Sequence, residues 1–314
     1  MKQQPLLGFM FALITAMAWG SLPLALKQVL TAMDTLTIVW YRFLVATLAL
    51  LLLLGLSGKL PKFSQINRYF VGLAIIGILG LAGNFSLFNS SLRFIEPAVA
   101  QIFIHLSSFM MLFCGVVIFK ETLGLHQKIG IVVLIIGLCL FFNDRFEDLT
   151  RLNDYFIGVI LSVCASIIWV TYGLAQKLML RRFSSQQVLL MIYFGCAVVF
   201  TPFAEVAQVN ALSGFTLLCF IYCCLNTLIG YGAYAEALNR WDVAKVSVVI
   251  TLVPLFTILF SHLLHYFLPQ YFAAPELNSV SYIGALVVVL GAMTSAIGHR
   301  FIKPKSVQKI KIPD

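Results

Sequence analysis

Charge is what this chain has least of. Asp, Glu, Lys and Arg make up 11% of its 314 residues, against about 25% in soluble domains, and no segment is polar enough to be a soluble domain. Its loops lack cysteine. Cys114, Cys139, Cys164, Cys196, Cys219, Cys223 and Cys224 all lie inside apolar runs, where cysteine behaves as a small hydrophobe. No pair has the loop placement of a disulfide framework or metal site, and Cys219 with Cys223, one helical turn apart, reads as packing. Catalytic signatures are missing as well. The chain has no HExxH, no GxSxG and no ATP-binding P-loop, which leaves a zinc peptidase, a serine hydrolase of that type or a pump with its own ATPase without a foothold. A membrane enzyme needs a nucleophile–base pair, paired acids or a metal cluster at membrane depth. A channel needs charged rings or a carbonyl filter. Neither pattern is present, and neither a cofactor nor a metal is implied.

What the chain does have is apolar length. Hydrophobic residues make up 61% of it, and they fall in ten runs, near 6–26, 36–56, 69–90, 98–119, 128–142, 156–176, 187–204, 213–236, 246–267 and 281–299. A bilayer core about 30 Å thick takes ~20 residues of helix. Barrel strands would be half that length and alternate in polarity, so the expected fold is an all-α integral membrane protein with ten transmembrane helices. Ala16-Met17-Ala18 resembles a signal-peptidase site, but the stretch around it recurs later in the chain, so it counts as the first helix.

That recurrence organises the sequence. Gly8 to Leu30 lies on Gly158 to Leu180 without a gap, and Gly8/Gly158, Trp19/Trp169, Leu24/Leu174, Ala25/Ala175, Lys27/Lys177 and Leu30/Leu180 coincide. Leu92–Ala100 aligns with Leu238–Val246, each a short turn with an acid at the same place, Glu96 or Asp242. The last helix of each half carries glycines seven apart, Gly130 and Gly137 or Gly284 and Gly291, which leaves a flat face for close packing. The expected organisation is a five-helix repeat over residues 1–142, an external connecting loop over 143–154, a second five-helix repeat over 155–300, and a basic tail over 301–314. Five spans per half is odd, so the second repeat enters from the opposite side.

The formal charge of +9 supports that topology rather than a nucleic-acid partner. With ten spans and the N-terminus inside, Lys59, Arg68, Lys128, Arg181, Arg182, Lys245, Arg300 and most other basic residues fall inside. Only Lys27, Arg93, Arg145 and Arg151 fall outside, as the retention of Lys and Arg on the cytoplasmic side requires. Both termini are expected in the cytoplasm, the chain in the inner membrane, and the tail lysines Lys303–Lys311 near anionic lipid.

Together these features resemble the drug/metabolite transporter superfamily in its ten-helix EamA-type branch. The resemblance rests on Ala18-Trp19-Gly20-Ser21 with Lys27, Tyr41-Arg42-Phe43, Ala98–Ala100 after a short turn, Lys120-Glu121-Thr122-Leu123, and Gly130-Ile131 through Gly137. A proline usual in the fourth helix of that family survives in the second half as Pro254, where the first half has Ser107-Ser108. The resemblance implies a bundle around a central cavity, lined by the first four helices of each half, that moves small polar metabolites, often amino acids, by alternating access.

Polar side chains at membrane depth are candidates for that cavity. Gln101, His105 and Ser108 form one stripe at i, i+4 and i+7, matched in the second half by Ser247, Thr251 and Pro254. Asn84 and Phe88 share a face of the third helix, and Asn226 and Tyr234 one of the eighth; the competing use for Asn there is bonding between helices. Trp19 and Trp169 stand mid-span rather than at the interface where Trp anchors, with Tyr172 close to Trp169 on its helix. His105 has an intrinsic pKa nearest neutrality and is the candidate for proton coupling. Pro254 is a candidate hinge. Arg42, the one basic residue well inside a span, could snorkel, hold an anionic substrate group, or serve structurally through an acid such as Asp34, and the structural role is the expectation. His262 and His265 resemble a metal pair but have no third ligand nearby. The expected function is export of a small polar metabolite such as an amino acid by a secondary transporter. The alternatives are a uniporter or exchanger without proton coupling, and a polytopic enzyme.

Overall fold

Four polar residues mark where helices begin. Asp34, Asn67, Asn153 and Ser184 each stand just ahead of an apolar run, and each accepts a hydrogen bond from a first-turn backbone N–H. Such a bond satisfies a donor that has no partner within the helix. In the computed structural model, residues 4–61, 67–119, 124–145, 153–241 and 243–297 are described. Among them there is no strand, and eleven α-helices follow one another: α1 (Pro5–Val29), α2 (Thr35–Leu56), α3 (Arg68–Ser91), α4 (Pro97–Phe119), α5 (Leu125–Phe141), α6 (Asp154–Met179), α7 (Ser185–Phe200), α8 (Gly214–Arg240), α9 (Val243–Ile250), α10 (Val253–Phe267) and α11 (Ser279–Ile297).

Seven stretches are long and apolar enough to cross a membrane, α9 and α10 together forming one of them. Shorter apolar helices at Pro97–Ser107, Leu125–Phe141 and Ser279–Ser295 fall where the fourth, fifth and tenth runs were expected. Large apolar side chains such as Leu52, Leu79, Phe194 and Ile283 are more than half exposed. A soluble surface does not tolerate such a density of them; lipid does. Two boundaries differ from the sequence reading. The fifth helix starts at Leu125, where Gly124 and Gln127 close a capping interaction, rather than at Lys128. The ninth run is interrupted at Thr251 and Leu252, just before Pro254 in the first turn of α10. Proline has no N–H to give to a preceding carbonyl and its ring crowds that carbonyl, so the ladder stops and restarts. Lys120 to Leu123, Asp242 and the tail lysines lie outside the described residues.

Helix pairing follows a pattern. α1 packs along α8 and α3 along α6; α4 meets α6, and α1 meets α9 and α10; α2 meets α8, and α3 meets α7. Two pairings, α2 with α7 and α5 with α11, join helices of the same rank in each half. α5 and α11 approach through the heptad glycines. A Cβ on Gly130 would stand 2.8 Å from the Gly291 carbonyl oxygen, and one on Gly291 2.7 Å from the Leu134 nitrogen. The largest buried apolar cluster, including Leu26, Val29, Ile38, Leu92 and Val99, joins the ends of α1 and α3 to the starts of α2 and α4. Beside it Arg145 pairs with Glu96 at 3.9 Å and donates to the Glu276 carbonyl. Burial pushes the Glu96 carboxyl above its ordinary range, opposed by Arg145.

Candidate functional site

The centre of the bundle is built on a fault in α1. Pro23 sits inside that helix, so the carbonyl of Trp19, four residues back, receives no N–H from it. Gln101 of α4 supplies the missing donor, its Nε2 standing 2.9 Å from Trp19 O. The flanking carbonyls are reached from other helices: Asn226 of α8 donates to Ala18 O at 2.7 Å and Thr257 of α10 to Gly20 O at 2.7 Å. Three consecutive carbonyls of α1 thus hold side chains from three other helices. In apolar surroundings such bonds join helices that have no hydrophobic drive to associate.

Around this node stand the aromatic rings. The Trp19 indole lies 5.1 Å from the Tyr231 ring and 5.5 Å from that of Tyr234. Gly230 makes that approach possible, because a Cβ there would fall 2.5 Å from Trp19 Nε1. Trp169 lies within hydrogen-bonding reach of Tyr231 and 6.0 Å from the Tyr172 ring. Tyr193 of α7 meets Tyr231 edge-on at 6.1 Å. Tyr231 therefore links the two tryptophans that the sequence repeat pairs.

Beside these rings is a buried cation. Arg42 is 2% exposed; its Nε donates to Thr227 Oγ1 at 3.0 Å and its guanidinium lies 4.6 Å from the centre of the Phe85 ring. Among the described residues no carboxylate pairs with it. Asp34 does not reach it, because that carboxylate accepts from the backbone of Leu36 and Thr37 at the start of α2.

His105 is 3% exposed and Gln101 2%, one turn apart on α4. His105 faces the Thr251 backbone at the break between α9 and α10, three residues before Pro254. The Thr251 hydroxyl turns back to Val248 O, and the Ser108 side chain lies outside the described residues. Gln101 Oε1, Asn226 Oδ1, His105 Nε2 and the Tyr172 and Tyr193 hydroxyls are buried without a hydrogen-bond partner. Each of these orphaned atoms is free for a further polar contact.

Two candidates lie elsewhere. Asn84 donates to Ala165 O at 2.9 Å in the seam between α3 and α6, and Phe88 packs against the apolar cluster at the ends of α1 and α3. His262 and His265 part ways, the first bonded to Tyr282 and the second to Phe272 O. A cavity of about 380 Å³ between α3 and α7 is lined by exposed apolar residues including Ile75, Leu79, Phe194 and Val198, and faces outward. Sequence reasoning missed Pro23, Tyr193, Thr227, Tyr231 and Thr257. Pro23 had a signal, four residues after a mid-span Trp. Tyr231 adjoins Gly230, but Tyr193 and Thr227 take their meaning only from Arg42, which sequence spacing does not bring near them.

The EamA-like transporter family profile matches this chain twice, over residues 6–143 and 156–297. A protein of Haemophilus influenzae described as an uncharacterized transporter is 67% identical over 98% of this chain and 100% of its own length. The uncharacterized inner membrane transporter YhbE of Escherichia coli K12 is 46% identical over 96% of this chain and 94% of its own. A probable amino-acid metabolite efflux pump of the same organism is 21% identical over 94% and 97%. With eleven α-helices among the described residues, spans that expose apolar flanks, and a profile that covers nearly all of it, this chain is a multi-pass membrane protein and belongs to the EamA-like transporter family.

Proposed function

We propose that this protein is a secondary transporter of the inner membrane that exports a small polar metabolite such as an amino acid. Two inverted five-helix halves, residues 1–142 and 155–300, joined by an external loop, would rock about the central site with both termini in the cytoplasm. The matched helix pairings and the double family match support the two halves. The observation that carries the reading is the central cluster itself. Trp19, Gln101 and Arg42 come from the first half, and Tyr231, Tyr234, Asn226 and Thr227 from the second. A solute held there touches both halves, so their relative motion exposes it to one side and then the other. The efflux-pump relative supports an amino-acid metabolite as cargo.

Each residue then has a task. Trp19 and Tyr231 offer ring faces; Gln101 Oε1 and Asn226 Oδ1 offer acceptors, and the Tyr172 and Tyr193 hydroxyls offer donors. Trp169 and Tyr234 wall the site. Pro254 and the break at Thr251 give the ninth span a hinge, and His105, against that break, couples transport to proton movement by gaining a donor when it takes a proton.

Proteoliposomes loaded with labelled amino acids, purines and small amines, at matched and unequal pH, test this. The expected result is selective loss of one solute, abolished by Trp19→Ala, with its pH dependence removed by His105→Gln. Loss that survives Trp19→Ala would remove the central site from the mechanism. No loss of any solute from vesicles containing folded protein would count against transport of these classes.

A further inference from the structure

Arg42 is a permanent cation set about two turns inside its helix, and it is 2% exposed. A charge in that position persists in a membrane protein when it is paired, reaches water, or has work to do. Pairing with an acid is absent among the described residues. The single hydrogen bond it makes there uses Nε, given to Thr227; Nη1 and Nη2 make none. This distinction has a geometric meaning. A carboxylate approaches guanidinium either side-on, through Nε and one Nη, or end-on, through both Nη atoms. Thr227 blocks the first route and orients the second. Phe85 covers a face of the guanidinium at 4.6 Å, which fixes the plane of the fork.

A second, independent observation points to the same place. The Tyr193 hydroxyl is buried and has no hydrogen-bond partner. Its residue is 1% exposed; its ring stands 5.6 Å from that of Phe43, which lies 4.6 Å from the Phe85 ring under the Arg42 guanidinium, and 6.1 Å from Tyr231. A tyrosine hydroxyl beside a cation can donate to an anion held by that cation but has nothing to accept from it except an N–H. From this corner the Tyr231 ring continues directly to Trp19 at 5.1 Å, so cation, hydroxyl and rings lie in one neighbourhood.

On the transport reading above, we infer that Arg42 is the anion-binding group of the central site and that the exported solute carries a carboxylate. The carboxylate is held end-on by Nη1 and Nη2 with a further bond from Tyr193, while the apolar or aromatic body of the solute lies against Tyr231 and Trp19. Thr227 and Phe85 position the guanidinium. A solute whose acid is replaced by an amide leaves the cation unpaired, and a site built around a buried polar group rejects analogues that lack its partner far more strongly than it rejects a change of size.

The test uses matched pairs on the full-length protein: L-phenylalanine with L-phenylalaninamide, L-leucine with L-leucinamide, and phenylacetate with phenylacetamide. Binding is followed by intrinsic tryptophan fluorescence in detergent, independently of transport, and efflux of the same pairs is followed in proteoliposomes. The inference predicts that the wild type prefers the carboxylate member of at least one pair by about tenfold or more. Arg42→Gln abolishes the preference, Arg42→Lys keeps part of it because the charge remains without the planar fork, and Tyr193→Phe weakens carboxylate binding severalfold with the amide unaffected. A purely structural Arg42 would lower stability without moving the carboxylate-to-amide ratio. If Arg42→Gln does not fold, Arg42→Lys and Tyr193→Phe decide by the same ratio. A wild type with no carboxylate preference, or a preference that survives these substitutions, overturns the inference. Carboxylate-selective binding without efflux would leave the anion site standing and remove the transport reading, whereas selective efflux indifferent to Arg42 would do the reverse.

Discussion

Arg42 and Asp34 stand two turns apart on α2 and answer the problem of charge near a membrane in opposite ways. Asp34 works at the helix end. Burial pushes its carboxyl upward, but hydrogen bonds from Thr37, Leu36 and Gln208 outweigh that and hold it below the ordinary value of 3.8. A carboxyl depressed on folding adds stability that is present above its unfolded value and lost as pH falls through the folded one. Asp34→Ala is expected to cost about 1 kcal/mol at pH 7, as removal of a helix cap does. The difference from wild type should shrink once the pH drops below the unfolded value. Thermal melts in detergent between pH 3 and 7 check this; a gap independent of pH would deny Asp34 its cap. Much at this scale was legible beforehand. Trp19, Gln101, His105 and Asn226 were singled out because polar or bulky groups at mid-span require a reason. The partner of Arg42 was not legible, since a contact between residues 42 and 227 leaves no periodicity in either segment. Asp34 looked suitable by sign and proximity, but its Oδ1 accepts from the backbone of Leu36 and Thr37 instead.

At the scale of the element, the helices followed from hydropathy because a bilayer sets their length. Breaks inside them did not. Pro254 was visible, but which carbonyls would be freed, and what would meet them, depended on the neighbouring helices. Pro23 is the sharper case, because α1 continues through it only with Gln101, Asn226 and Thr257 bonded to the carbonyls nearby. The glycine periodicity of the fifth and tenth helices, by contrast, translated directly into contact, since small residues seven apart form a face whatever surrounds them. Gly291→Leu would drive a side chain into the Leu134 backbone, where a Cβ alone stands 2.7 Å from the nitrogen. Overpacking of this kind costs about 1–3 kcal/mol or more. The expected outcome is a lower melting midpoint with solute selectivity kept, because α5 and α11 pair chiefly with each other and stand apart from the rings around Tyr231. A change of selectivity in this variant would tie the outer pair to the site.

For the whole molecule, the duplication in the sequence has its counterpart in the main helix pairings, where exchanging the two halves turns α1 with α8 into α3 with α6, α4 with α6 into α1 with α10, and α2 with α8 into α3 with α7. Halves related in that way can interchange their inner and outer arrangements at little net cost, which is the physical basis of a carrier. The cluster around Trp19 and Tyr231, the proposed site, draws its orphaned polar atoms from both halves. The most direct measurement is therefore trans-stimulation. Proteoliposomes are loaded with the labelled solute that efflux identifies, and its exit is followed with and without the same unlabelled solute outside. A carrier that returns faster when loaded predicts accelerated, saturable exit, with the acceleration lost in Trp19→Ala. Exit that is unsaturable and indifferent to external solute would contradict alternating access and describe a pore instead.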